Sequence, residues 1–159
     1  MKILLAAVNA KYIHSNLAVY SLKAYAEDPA VEIGEYTINQ QKDDILMDIY
    51  KRQPDILCLS CYIWNLDYIE EIVLEIGKLR PDMPIWLGGP EVSYHAEEML
   101  EQYPFLDGIM KGEGEITFRE LAVYYQNQEN GTEGKTLEEI HGITYRDAEG
   151  AIKSNPWRP

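Results

Sequence analysis

Two cysteines, Cys58 and Cys61, have the CxxC spacing that can hold a metal ion or form a redox-active disulfide. They lie, however, in the apolar run "ILCLSCY" at residues 56–62, which predicts a β-strand. Side chains three residues apart in a strand point to opposite faces of the sheet. The sequence therefore favours two buried, small hydrophobic side chains over a metal or disulfide pair.

Glycines end two apolar runs and remove side chains where a ligand could approach the backbone. The two runs end at Gly88-Gly89-Pro90-Glu91 and at Gly112-Glu113-Gly114-Glu115. Each missing Cβ opens space and exposes backbone amide groups. This bare backbone predicts a site for a large ligand with a long polar tail.

The composition indicates one globular domain with an acidic surface. A length of 159 residues suits one core, and 46% hydrophobic with 26% charged residues excludes disordered and fibrous classes. The net charge of -13 repels phosphate backbones and anionic lipid heads, so we expect no nucleic-acid and no membrane partner. No apolar run reaches the ~20 residues that cross a bilayer, and the first apolar stretch is too short for a signal peptide. We therefore expect a cytoplasmic protein.

Strand-length apolar runs alternate with helix-length amphipathic stretches over residues 2–126. The predicted strands are 2–8, 31–38, 56–62, 84–87 and 108–110, and the predicted helices are 16–27, 42–53, 65–80, 95–103 and 116–126. Continuous hydrophobicity along the strands is typical of parallel strands that are covered on both faces. The pattern predicts an α/β fold, a doubly wound five-stranded parallel sheet that is Rossmann-like, with flavodoxin-like order 2-1-3-4-5.

The pattern changes after Gln126. Residues 127–135 are polar and predict a loop, whereas 142–146 and 151–153 flank a turn in which Gly150 suits a positive φ. This predicts a C-terminal β-hairpin, after which residues 155–159 have the composition of a linker. We therefore divide the chain into a ligand-binding domain at 1–126 and a loop, hairpin and linker at 127–159.

Ligands of open α/β sheets bind outside the carboxyl ends of the strands. The first such loop, "NAKYIHSN" at residues 9–16, contains no glycine, so it offers neither the GxGxxG of a dinucleotide site nor a P-loop. An acidic phosphoacceptor cluster is missing too, since Asn9 and Ser60 end the first and third strands. What remains is a crevice with glycines at the fourth and fifth strand ends, opposite a loop that carries His14.

Four segments in this order resemble the cobalamin-binding domain at the amino terminus of radical S-adenosylmethionine enzymes. They are "NAKYIHSNLAVYSLKAYAE", "PDILCLSCYIWN", "WLGGPEVS" and "DGIMKGEGEITFREL". The closing "GITYRDAEGAIKSNPWRP" is similar to the hairpin and linker that lead into the catalytic barrel of those enzymes. The resemblance implies that residues 1–126 bind cobalamin and that 127–159 lead toward a radical S-adenosylmethionine domain of the same chain.

The resemblance also implies where the cofactor binds. In that family the nucleotide tail of a base-off cobalamin inserts beside the sheet, and the corrin ring rests on the loops at the carboxyl ends. Ser60 and Tyr62 would line the tail's channel, the glycines at 88 and 89 would make room for it, and residues 112–115 would close the pocket. The expected cofactor-binding residues are Asn9, Tyr12, Ile13, His14, Ser15, Ser60, Tyr62, Trp64, Gly88, Gly89, Pro90, Glu91, Gly112, Glu113, Gly114 and Glu115.

Some of these residues have expected roles of their own. Glu113 and Glu115 offer acceptors for the ribose or for corrin amide groups. Trp64 either stacks on the ligand or packs beneath its loop.

His14 is the candidate cobalt ligand. In the related cobalamin-dependent mutases and methyltransferases, a DxHxxG segment of the first loop carries the ligating histidine. Here Tyr12 replaces the aspartate and Leu17 replaces the glycine, so the acidic partner that orients the imidazole is missing. Three interpretations stay open: cobalt ligation, contact with the underside of the corrin, and a surface or helix-capping role. Tyr12 or Ile13 would otherwise cover the lower face of the ring.

No nucleophile with its base and no three-ligand metal cluster can be assembled from this sequence, so we expect no catalysis by this chain alone. The resemblance implies that the full-length protein is a cobalamin-dependent radical enzyme for methyl transfer or related carbon-centred radical chemistry. It would also use S-adenosylmethionine and a [4Fe-4S] cluster held by CxxxCxxC, a motif not found in this sequence. The alternatives are a cofactor-free docking domain for a basic partner and a flavodoxin-like flavin carrier.

Overall fold

The computed structural model describes residues 1–9, 17–26, 30–37, 39–61, 66–112 and 114–159. Within these ranges, the side chains outside the description are those of Leu17, Ala18, Tyr25, Leu66, Pro90 and Glu91. Among the helices of the described ranges, none is long and apolar enough to cross a membrane.

Strands and helices alternate along most of the chain. The strands are β1 Ile3–Asn9, β2 Val31–Thr37, β3 Ile56–Ser60, β4 Ile85–Gly88, β5 Gly108–Met110, β6 Ile143–Arg146 and β7 Ile152–Ser154. The helices are α1 Leu17–Ala26, α2 Lys42–Arg52, α3 Leu66–Leu79, α4 Pro90–Ser93, α5 Ala96–Gln102 and α6 Glu115–Asn130, and a short 3-10 helix covers Leu137–Glu139. The predicted strands and helices are thereby confirmed in number and order, and the one-turn helix α4 and the 3-10 helix are added to them. The predicted loop at 127–135 is wrong over residues 127–130, which form the last turn of α6.

The strands form one sheet with the order β2-β1-β3-β4-β5-β6-β7. The first five are parallel to one another, whereas β6 is antiparallel to β5 and β7 is antiparallel to β6. The predicted order 2-1-3-4-5 and the C-terminal hairpin are confirmed. The hairpin extends the same sheet beyond β5, and its turn contains Gly150 at a φ of 85°.

Alternating side chains divide the core into two layers on opposite faces of the sheet. The α1/α6 layer lies on one face and contains, among others, Ala7, Val19, Cys58, Trp86, Met110 and Phe118. The opposite layer joins the sheet to α2, α3 and α5 and contains, among others, Ile45, Leu57, Cys61, Ile72, Leu87 and Leu100. Every residue of β1, which lies between β2 and β3 in the sheet, is buried, as its continuous hydrophobicity predicts.

The two cysteines belong to different layers, as the strand periodicity predicts. Cys58 packs in the α1/α6 layer and Cys61 in the opposite layer, and both are buried and outside any disulfide. Burial raises the pKa of Cys58 to about 12. Burial and a raised pKa keep this thiol protonated, which disfavours metal binding and redox chemistry.

Trp86 fixes the spacing between the sheet and α6. Its side chain is fully buried, and its Nε1 donates a hydrogen bond to the Tyr125 hydroxyl at 2.8 Å. The ring lies over Gly108 of the neighbouring strand, where an added Cβ would overlap with it. Gly108 therefore lets the tryptophan lie flat against β5.

Residues 155–158, here called the C-terminal strap, pack against the domain. The carbonyl oxygen of Pro156 accepts the amide of Gly142 at 2.8 Å. The Arg158 Nε donates to the Thr117 hydroxyl of α6 at 2.7 Å. The strap thus runs beside the carboxyl end of β5 and the first turns of α6.

Candidate functional site

The parallel strands bring their carboxyl ends to one edge of the sheet, as a doubly wound fold requires. In the strand register, Ala7 lies beside Ser60, Ser60 beside Gly88, and Gly88 beside Met110. Three neighbouring strands therefore carry small side chains at the same level. We call Ala7, Ser60 and Gly88 the small-residue row.

The small-residue row faces the α1/α6 layer. Ala7 belongs to that layer, and Ser60 and Gly88 each follow one of its members, Cys58 and Trp86, by two residues along their strands. Ala7 is fully buried, whereas Ser60 and Gly88 are half-buried at the open edge. Small residues on adjacent strands leave space between the sheet and the helix layer above them. This edge therefore suits a ligand group that enters between the sheet and the helices.

Gly88 and Gly89 have different surroundings. A Cβ added at Gly88 would meet the Met110 methyl carbon at 3.6 Å, which is an ordinary contact. Gly89 has a φ of 115°, and a Cβ there would overlap with the carbonyl oxygen of Cys61. The Cys61 amide also donates to the Gly88 carbonyl oxygen at 2.7 Å. The backbone approach of the segment after β3 therefore requires glycine at position 89, whatever binds there.

The short helix α4 follows the carboxyl end of β4 and contacts the residues that follow β5. Pro90 begins it, at a position where a missing amide proton costs no hydrogen bond. The Ser93 hydroxyl at its end donates to the Gly89 carbonyl oxygen at 2.8 Å and accepts the Gly112 amide at 3.1 Å. Ser93 was missed by the sequence analysis, although its spacing of four residues from Gly89 allows this backbone contact.

The fifth loop begins at Gly112, whose φ of 72° favours glycine. Gly114 follows as the residue before α6, and a Cβ there would touch Leu22 of α1 at 3.4 Å. Glu115 starts α6 and accepts a hydrogen bond from the Ser21 hydroxyl of α1 at 3.2 Å. The predicted glycines and Glu115 thus lie where α1, α6 and the carboxyl end of β5 meet.

Lys111 links this loop to the C-terminal strap. It is only 7% exposed, and its ammonium group donates to the Asn155 carbonyl oxygen at 2.9 Å. The same group lies 5.4 Å from the centre of the Trp157 ring, a cation–π distance. Burial lowers the pKa of Lys111, and the nearby Glu97 carboxylate partly opposes that shift.

Asn9 is the last residue of β1, and a side chain of the neighbouring strand β2 holds it in place. It is 5% exposed, and its amide nitrogen donates to Glu35 at 3.4 Å. The other oxygen of that carboxylate accepts the Tyr20 hydroxyl of α1 at 3.1 Å, a hydrogen bond that raises the pKa of Tyr20. Asn9 therefore has a fixed position at the edge where the first loop begins.

Seven predicted cofactor-binding residues lie outside the described part of the chain: Tyr12, Ile13, His14, Ser15, Tyr62, Trp64 and Glu113. The side chains of Pro90 and Glu91 lie outside it as well, although their backbone forms α4. Cobalt ligation by His14 stays a prediction. Within the described residues, no group of three or more His, Cys, Asp and Glu side chains could hold a metal ion.

The fold and the matching sequence define the class of protein. A family model described as "B12 binding domain" matches residues 3–122. The chain therefore belongs to the B12 binding domain family. This membership confirms the resemblance and the expected cofactor, cobalamin, and it favours that cofactor over the flavin-carrier and cofactor-free alternatives.

Individual relatives are larger enzymes. The chain is 29% identical over 142 residues to the 2-(S-pantetheinyl)-carbapenam-3-carboxylate methyltransferase of Streptantibioticus cattleyicolor, a match that covers 85% of this chain and 20% of that enzyme. It is 36% identical over 69 residues to the cobalamin-dependent radical SAM methyltransferase TokK of Streptomyces tokunonensis, which covers 43% of this chain and 10% of TokK. The chain thus spans a fifth or less of these relatives.

A solved structure shares the fold. OxsB, a cobalamin-dependent S-adenosylmethionine radical enzyme with aqua-cobalamin and S-adenosylmethionine bound, superposes with a TM-score of 0.76 and 24% sequence identity. The superposition covers 99% of this chain and 22% of OxsB. The hairpin and the strap therefore belong to the shared architecture together with the five parallel strands.

Proposed function

We propose that this chain binds cobalamin at the carboxyl edge of the sheet, in the base-off form. The nucleotide tail enters between the sheet and the α1/α6 layer along Ser60 and Gly88, and the corrin ring rests on the loops. The observation that carries this proposal is the small-residue row, because it lies at the edge where ligands of such sheets bind, in a chain of the B12 binding domain family.

The residues of the site suit an amide-rich, phosphate-containing ligand. The Ser60 hydroxyl can donate to or accept from the tail, while Gly88 leaves space for it. Asn9 and Glu115 are polar groups whose positions are fixed by neighbouring side chains. When bound, cobalamin supplies a cobalt centre that can carry a methyl group; the protein orients it and limits access of water.

We propose that Tyr12, Ile13, His14 and Ser15 approach the underside of the corrin, and that Tyr62, Trp64 and Glu113 complete the pocket. The resemblance of their segments to the family supports this assignment. We propose contact of His14 with the ring in preference to cobalt ligation, because the aspartate that would orient its imidazole is replaced by Tyr12.

We further propose that the chain is the cobalamin-binding module of a larger cytoplasmic enzyme, with residues 1–126 as the binding domain and 127–159 leading to a radical S-adenosylmethionine domain. That domain would hold a [4Fe-4S] cluster and S-adenosylmethionine, and methyl transfer or related radical chemistry would follow. The names of the methyltransferase relatives and the small share of their length that this chain spans support the proposal.

Cobalamin retention tests the central proposal. The purified chain is mixed with hydroxocobalamin or methylcobalamin, free cofactor is removed by gel filtration, and the absorption spectrum of the protein fraction is recorded. We expect about one retained cobalamin per chain with a base-off spectrum. A protein fraction without cobalamin absorbance would contradict binding. A base-on spectrum would contradict only the proposed insertion of the tail and would leave cobalamin binding intact.

A further inference from the structure

Ser93 joins the loops that follow β4 and β5 through one hydroxyl group. The Oγ donates to the Gly89 carbonyl oxygen at 2.8 Å and accepts the amide proton of Gly112 at 3.1 Å. The side chain is 3% exposed. A single buried oxygen therefore sets the separation of the two glycine-bearing loops.

Among the residues that the structure describes, no backbone hydrogen bond joins the fourth loop to the fifth beyond the last register pair of β4 and β5. The register between β4 and β5 ends at Gly88 and Met110. Gly89, one residue beyond that pair, has a φ of 115°, and Gly112, two residues beyond it, has a φ of 72°. Glycine has no side chain with which to anchor itself. Ser93 supplies the next link beyond the end of the strand ladder.

The link matters more for position than for folding. Ser93→Ala removes both hydrogen bonds of the hydroxyl group. Gly112 is exposed, so its amide can bind water instead, which limits the cost to the fold. The fifth loop, however, would gain freedom that a ligand must remove on binding.

We propose that Ser93 is a positioning residue that preorganises the fourth and fifth loops for cobalamin. The inference rests on the proposed function, since it concerns the affinity of the same site. Ser93 acts through the backbone of Gly89 and Gly112 and does not itself bind the cofactor. Its role is to hold the two glycines at the separation that the bound cofactor requires.

The test compares Ser93→Ala with the wild-type chain in two measurements. One is the equilibrium affinity for hydroxocobalamin, which we expect to fall about tenfold. The other is the hydrogen-exchange rate of the Gly112 amide measured by NMR without cofactor, which we expect to be slow in the wild type and fast in the variant. Should Ser93→Ala not fold, Ser93→Cys keeps the volume and replaces the hydroxyl by a weak donor and acceptor.

Ser154→Ala is the matched control. Ser154 lies in β7 of the hairpin, and its hydroxyl is hydrogen-bonded to Glu97 of α5 at 2.8 Å and to the Thr144 hydroxyl at 2.9 Å, so the variant also loses two side-chain hydrogen bonds. We expect its cobalamin affinity and its Gly112 exchange rate to equal those of the wild type.

The outcomes separate this inference from the proposed function. Wild-type binding together with unchanged affinity in the Ser93 variant would overturn the positioning role and leave cobalamin binding intact. A Gly112 amide that stays protected in that variant would overturn it as well, since another acceptor would then hold the loop. Absence of binding by the wild-type chain would overturn the proposed function and this inference with it.

Discussion

Ser60 and Gly88 are direct register partners at the last positions of two adjacent parallel strands. Both lie on the face of the sheet covered by α1 and α6, next to the fully buried Ala7. The carboxyl edge of the sheet therefore carries little side-chain volume at β3 and β4. In the proposed function, the cobalamin tail enters at this position, between the strand backbone and the helix layer.

A large side chain at Gly88 is expected to block that entry. Gly88→Leu should weaken cobalamin binding by at least about tenfold, because its branches extend into the small-residue row. Gly88→Ala should change the affinity by less than about threefold, since its Cβ meets Met110 at an ordinary 3.6 Å. Spectrophotometric titration measures both, with Ala148→Leu in the exposed hairpin turn as the control. Equal affinities of Gly88→Leu and the control would contradict the assigned tail position.

Gly89 is expected to respond differently from Gly88. Gly89→Ala places a Cβ against the Cys61 carbonyl oxygen at a φ of 115° and should lower the free energy of unfolding by about 1–3 kcal/mol. Gly88→Ala should leave it unchanged or raise it by up to about 1 kcal/mol, since alanine is favoured over glycine in a strand. Urea unfolding monitored by circular dichroism gives both values. Two variants of equal stability would contradict the backbone approach at Gly89.

The ion pair that anchors the strap should make stability depend on pH. Burial alone would raise the pKa of Glu120, but Arg158 at 3.1 Å and Lys135 at 3.2 Å outweigh burial and hold the pKa below its usual value. A carboxylate with a lowered folded-state pKa stabilises the fold above its unfolded-state pKa of about 4.3, and this contribution disappears as the pH falls through the folded-state pKa.

Glu120→Gln is therefore expected to lower the free energy of unfolding at pH 7 by about 0.5–1 kcal/mol. The difference from the wild type should shrink as the pH falls below about 4. Urea unfolding of both proteins at pH 7 and at pH 3 measures it. A difference of the same size at both pH values would show that the substitution acts through packing and not through the charge.

Substitution of His14 tests how cobalt is coordinated. His14→Ala is expected to leave the spectrum of the bound cobalamin unchanged, because the sequence lacks the aspartate that would orient an imidazole toward the metal. The absorption spectra of the wild type and the variant with bound methylcobalamin provide the comparison. A shift of the cobalamin bands in the variant would establish His14 as a cobalt ligand.

The sequence predicted the strands because their hydrophobicity is continuous. The predicted strand at 108–110 coincides with β5, and the turn glycine at 150 has the expected positive φ. Helix α6 extends to Asn130, beyond the predicted end at Gln126. The prediction ended too early because the polar last turn of the helix carries no apolar periodicity. Gly131, with a φ of 68°, ends it and was the available signal for its length.

The sequence could predict only those features of the candidate site that depend on where the strands end. Ser60 and Gly88 follow from the positions of β3 and β4, but the different tasks of Gly88 and Gly89 depend on how closely the segment after β3 approaches β4. The contact of Ser93 with Gly112 joins residues from two loops, and no spacing in the sequence encodes the separation of those loops. Such relationships arise from tertiary packing and require coordinates.

Gly108 is the first residue of the three-residue strand β5, at the end opposite the fifth loop, and an added Cβ there would overlap with the Trp86 ring. That ring is bonded to Tyr125 of α6, and the same helix begins at Glu115 beside the fifth loop. A helix moves as a unit, so the disturbance would travel along its axis to the far end. We therefore expect a substitution at Gly108 to shift α6, whose first residue, Glu115, belongs to the proposed site, and so to weaken ligand binding without a direct contact.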